Sequence, residues 1–152
     1  MSLAGRITDD MKTAMKAKEQ ERLATLRLIR AELLKRQKEK AGVELNDQLV
    51  QDVLQSMVKQ RRDSIEQYEN AGRKDLAEKE AAEVDVIRAY LPEELSESEI
   101  ATAAGEVIAS LGVSSPQEVG KVMGPLMGRL KATGRPFDGK RVNAIVREKL
   151  GA

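Results

Sequence analysis

Apolar residues recur every third or fourth position along most of the 152-residue chain, and strict apolar/polar alternation never survives beyond a few positions. That spacing gathers apolar side chains on one face of a helix, whereas a half-buried strand needs a period of two. The residues available for a core agree with it. There is one Phe, there are two Tyr and there is no Trp, so the interior must be built from Leu, Val, Ile, Met and Ala, which suit helix packing better than sheet. An all-α protein of about seven helices is therefore expected.

The punctuation divides these helices into two groups. Leu3 to about Lys16, Glu19 to Lys40, a helix capped by Asn46 and running to Tyr68 before Gly72, and one from Lys74 through Leu91 read as four helices. Their short connections favour antiparallel neighbours, and Pro92 breaks the last of them. After Pro92 the helix starts are written explicitly. Ser96 with Glu99 forms a capping box, with Leu95 and Ile100 as its hydrophobic staple, and Gly112 follows the last apolar residue. Ser115 precedes Pro116 at a first helical position, and Asp138 caps a final helix with Phe137 stapled to Val142. The organisation expected is a helical bundle over residues 1–92 and a three-helix tail over residues 93–152.

Composition closes off much of chemistry. Without Cys there is no disulfide, thiolate metal site or cysteine nucleophile, and without His the commonest general base and metal ligand is missing. No metal or other cofactor is expected. The opening residues carry Asp9 and Asp10 rather than the apolar centre of a signal peptide, and no apolar run approaches the roughly 20 residues needed to span a bilayer. A soluble cytoplasmic protein without a membrane partner is the expectation. Carboxylate pairs such as Glu78 with Glu83, or Glu93 with Glu94, have no third group beside them and make poor acid/base dyads.

The net charge of +1 conceals an asymmetry. Residues 1–92 hold 18 Lys/Arg against 17 Asp/Glu, residues 93–115 hold five Glu and no cation, and residues 116–152 hold eight cations against three carboxylates. An anionic partner would be drawn to the last segment. The second helix is also basic, with Arg22, Arg27, Arg30, Lys35, Arg36, Lys38 and Lys40, but interleaved carboxylates such as Glu32 beside Arg36 point to a salt-laced, solvated face.

Residues 119–130 concentrate the functional signal. Val119, Val122, Met123, Leu126, Met127 and Leu130 form an apolar stripe, while Gly120, Gly124 and Gly128 recur every four residues on the neighbouring face. An interior glycine costs a helix about 1 kcal/mol relative to Ala, so three in register imply that something approaches that backbone closely. It can be another helix of the same unit or a bound molecule. Pro125 removes a backbone donor within the same segment. The neighbouring cations Lys121, Arg129, Lys131, Arg135, Lys140, Arg141, Arg147 and Lys149 are candidates for phosphate contact, and all but Lys149 are taken as the candidate RNA-binding set. No aromatic-rich surface accompanies them, so RNA would be read by shape and backbone.

Several runs carry a family resemblance. Gly120-Lys121-Val122-Met123-Gly124, the turn Gly134-Arg135-Pro136-Phe137-Asp138-Gly139, and Val142-Asn143 leading into Val146-Arg147-Glu148-Lys149-Leu150 resemble the tail domain of the B subunit of the tRNA-dependent amidotransferase. The likeness is closer to the free-standing bacterial YqeY-type proteins that consist of that domain. Asp10-Met11-Lys12-Thr13-Ala14-Met15-Lys16 and Arg88-Ala89-Tyr90-Leu91-Pro92 extend it over nearly the whole chain. The resemblance implies a tRNA-holding role, since ammonia release and transfer take place on other domains and another subunit. It does not bring catalysis with it: the chain has neither a Gly-rich Lys-Ser/Thr nucleotide loop nor the Gly-Ser-rich amidase signature. No catalytic residue is assigned. A tRNA-binding module is the leading reading, a protein-interaction adaptor docking through the C-terminal helices the alternative, and a carbon–nitrogen ligase with glutamine as amido donor the least favoured.

Overall fold

The computed structural model describes residues 1–151. They form seven α-helices and one short 3-10 turn, with no strand among the described residues, so the protein is all-α. The chain divides into two compact units, Met1–Leu91 and the residues from Pro92 onward.

The first unit contains α1 (Leu3–Lys16), α2 (Gln20–Glu39), α3 (Asp47–Asn70) and α4 (Lys74–Arg88). Side-chain oxygens satisfy two of the helix starts, where the first amides have no intrahelical acceptor. Ser2 Oγ accepts from the Gly5 amide at 3.0 Å and Asn46 Oδ1 from the Leu49 amide at 2.9 Å. Asp47 Oδ1 also accepts from the Leu3 amide at 3.0 Å, tying the start of α1 to the start of α3. Gly72, with φ +73°, supplies the left-handed residue of the tight α3–α4 connection. Leu26, Ile29, Leu54 and Ile87 lie fully buried at the centre of this unit.

Two details depart from the sequence expectation. Helix α4 stops at Arg88 rather than continuing to Leu91. The residue before a proline is pushed out of the helical region, and Tyr90 turns inward, where its hydroxyl donates to Asp10 on α1 and its ring lies 5.2 Å from the Arg6 guanidinium. Helix α2 is also less salt-laced than its charge pattern implied. Glu32 and Arg36 form no ion pair among the described residues, while Leu28 and Leu34 project outward.

The second unit holds α5 (Glu97–Leu111), the 3-10 turn Pro116–Glu118, α6 (Val119–Lys131) and α7 (Gly139–Lys149). The caps written in the sequence are made: the Glu99 amide donates to Ser96 Oγ at 3.1 Å and the Lys140 amide to Asp138 Oδ1 at 3.0 Å. Gly112 ends α5 in the left-handed conformation, φ +66°. Pro116 opens a 3-10 turn rather than an α-helix, and α6 continues directly from it. Ala104, Val122, Leu126, Val142 and Val146 fill the centre, and Phe137 packs against this cluster from the turn before α7.

Candidate functional site

Helix α6 buries Val119, Val122, Leu126 and Leu130. At about 100° per residue, Gly120, Gly124 and Gly128 fall with Lys121 and Lys131 in an arc of about 100° on the opposite side. All five are exposed. A Cβ built on any of the three glycines meets nothing within 4 Å. The stripe is therefore not a contact surface for another helix of its own unit, which was one of the two explanations open from the sequence. Met123 and Met127 form a half-buried border on one side, and Met127 Cε approaches within 3.8 Å of where a Cβ on Gly139 would lie. On the other side, Pro125 interrupts the amide ladder, so the Lys121 carbonyl has no donor four residues on.

The candidate cations divide sharply once their partners are seen. Arg135 lies in the turn before α7 and reaches the chain entering α5: Nε donates to the Glu93 carbonyl at 2.9 Å, Nη2 to the Glu94 carbonyl at 3.1 Å and Nη1 to Glu99 Oε2 at 2.6 Å. The Leu95 amide donates to the Pro136 carbonyl at 2.9 Å beside it. Arg135 is thus a clamp across the second unit. Arg141 on α7 donates to Glu97 at 2.6 Å, and Arg129 on α6 pairs with Glu106 of α5. The hydrogen bond from Arg141 holds the Glu97 carboxyl below the usual carboxylate range, and the one from Arg135 does the same for Glu99.

Arg147 turns back along its own helix to Asn143 at 2.7 Å. Lys140 is exposed at the first turn of α7, and Lys149 Nζ lies 3.7 Å from a Cβ position on Gly105. Lys121 meets Glu118 at 3.7 Å, but its side chain stays 73% exposed. A pair so open is worth little and exchanges readily for another anion. Lys131 is exposed and forms no ion pair among the described residues.

The acidic segment 93–115 and the basic segment 116–152 therefore neutralise one another within one unit. Periodicity places residues on faces but does not reveal which faces meet, so the sequence presented these charges as a free surface. Elsewhere, Glu83 accepts from Arg61 at 2.9 Å, an ion pair between α3 and α4 rather than an acid/base dyad with Glu78. No three His, Cys, Asp or Glu side chains gather as a metal site among the described residues, and no described helix is long and apolar enough to cross a membrane.

Comparison with known proteins accords with the motifs. The family described as Yqey-like protein matches residues 4–150. Altered inheritance of mitochondria protein 41, mitochondrial, of Pyrenophora tritici-repentis is 34% identical over 149 residues, covering 97% of this chain and 80% of the fungal protein. Its namesakes in Lachancea thermotolerans and Kluyveromyces lactis are 31% identical over 109 residues, covering 70% of this chain and 58% of that protein, and 30% identical over 136 residues, covering 84% and 73%. These relatives bear mitochondrial names, which overturns the expectation of a cytoplasmic protein. They are fungal, and lend no support to the bacterial origin that the resemblance brought with it. The match from residue 4 to residue 150, over a fold with both helical groups in place, establishes that this chain belongs to the YqeY-like family.

Proposed function

We propose that this chain is a tRNA-binding module, related to the tail of the amidotransferase B subunit and contributing no catalytic group of its own, which receives an RNA backbone on the glycine face of α6. The observation that carries this reading is the uncovered stripe of Gly120, Gly124 and Gly128 with Lys121 and Lys131 on the same face. Three glycines lower helix stability by roughly 1 kcal/mol each, and no intramolecular contact offsets it. A smooth backbone surface lets a sugar–phosphate chain come closer than side chains would permit. The two lysines reach phosphates on either side, and the Lys121 carbonyl can accept from a ribose 2′-hydroxyl, the group that distinguishes RNA from DNA.

The charge inventory limits how RNA is held. Each phosphate neutralised contributes about −0.9 to the slope of log affinity against log salt. If all seven candidate cations contacted phosphate, the slope would be about −6; with Arg129, Arg135 and Arg141 engaged by glutamates, Lys140 and Arg147 on α7 rather than α6, and Lys121 and Lys131 as the main contacts, it should be about −2. Binding of the purified chain to total tRNA across a salt series measures this directly. A slope near −2 that disappears in the Lys121→Gln, Lys131→Gln variant supports the α6 face. A slope near −6 moves the interface to the paired arginines, and absence of binding at low salt favours the protein-interaction adaptor, for which the charge-neutral second unit and the Met123/Met127 border are the favouring features.

A further inference from the structure

Helix α2 has a second organised face besides the one it buries. At about 100° per residue, Ala24, Ala31 and Lys38 run along the middle of its outward side, with Leu28 and Lys35 on one flank and Arg27 and Leu34 on the other. Leu28 and Leu34 are 44% and 45% exposed, among the most exposed large apolar side chains in the protein. Ala31, Leu34, Lys35, Lys38 and Glu39 border a shallow, open hollow on this one helix. Arg27, Lys35 and Lys38 are exposed and enter no ion pair among the described residues. These seven outward positions include no carboxylate.

The arrangement discriminates between occupants. A lipid surface favours the bulkiest apolar side chains at the deepest point and cations at the edges, whereas here alanines hold the midline and the leucines stand at the flanks. A second copy of the same face would bring arginine and lysine against arginine and lysine. An RNA backbone gains nothing from the two alanines and two leucines that occupy four of the seven positions, where α6 offers bare glycine backbone. A helix fits: small residues on the midline let its backbone approach, the exposed leucines flank it, and the cations call for carboxylates along its edges. We infer that the outward face of α2 docks an acidic amphipathic helix of a partner protein, its apolar ridge over Ala24 and Ala31 and its carboxylates on Arg27, Lys35 and Lys38. This inference concerns a different helix from the RNA reading and stands apart from it.

The test uses the full chain and a fluorescein-labelled synthetic helical peptide with leucines along one face and glutamates on both edges, followed by fluorescence anisotropy. Saturable binding is expected, weakened about tenfold or more, which is about 1.4 kcal/mol, in the Leu28→Ala, Leu34→Ala variant and again in the Lys35→Gln, Lys38→Gln variant. All four side chains are exposed, so circular dichroism melting should be unchanged, and a peptide with lysine in place of glutamate should not bind. Absence of saturable binding overturns the proposal, as does full affinity in either double variant. So does tighter association of the chain with phosphatidylglycerol vesicles than with the peptide, which would assign the face to membrane.

Discussion

Tyr90 joins the end of the first unit's chain to its first helix through one hydroxyl. Burial, and then the hydrogen bond to Asp10, push its phenol up to about 12 from an ordinary value of 10.0. The unfolded chain releases this proton near pH 10 and the folded chain near 12, so the folded state retains a proton that the unfolded state has lost. Stability should therefore be insensitive to this group below pH 10 and should fall as pH rises from 10 towards 12. Tyr90→Phe should remove that alkaline component and cost about 1–2 kcal/mol at neutral pH, read by urea unfolding at a series of pH values. In the sequence Tyr90 was visible only as part of a family motif, because its partner lies 80 residues away. The glycines of α6 show a different kind of legibility. Their four-residue spacing was plain, but a period identifies a face and not what the face meets: packing against another helix of the unit was the favoured explanation over a bound molecule, and the open space over all three glycines overturns it.

Helix starts were legible because their chemistry is local. Ser96, Asn46 and Asp138 each accept from an amide two or three residues on, within reach of a short sequence window. Contacts between helices were not. Arg129 with Glu106, Arg135 with Glu99 and Arg141 with Glu97 join residues 23, 36 and 44 positions apart, and they turn an apparent anion-binding surface into the electrostatic seam between α5 and the two helices after it. This seam should be acid-sensitive. The Glu97 and Glu99 carboxyls are held below their ordinary value of 4.5, so their contribution is complete above that value and is lost as pH falls through the lower folded values. Arg135→Gln removes the hydrogen bonds to the Glu93 and Glu94 carbonyls, which should lower stability by about 1–2 kcal/mol near neutral pH, and the pairing with Glu99, which should flatten part of the loss on acidification. Thermal melts of wild type and variant between pH 3 and pH 7 would show it; an unchanged melting temperature would mean that the clamp is incidental.

Across the whole molecule, the all-α class followed from a period that pervades the chain and from the scarcity of aromatics, properties that need no knowledge of tertiary contacts. Surface charge was harder to read, because a sum over a segment ignores pairing with another segment. The balance of cations and carboxylates from Pro92 onward leaves the α6 face, rather than a broad positive field, as the ground for the RNA reading. That reading stands or falls with the stripe. Gly124→Ala adds one methyl group into open space and raises helix propensity, so the variant should be more stable by up to about 1 kcal/mol. The decisive measurement is the affinity of this variant for total tRNA, taken beside its melting temperature: a more stable protein that binds tRNA several-fold more weakly is the predicted result, and a more stable protein that binds as tightly as wild type would contradict the account.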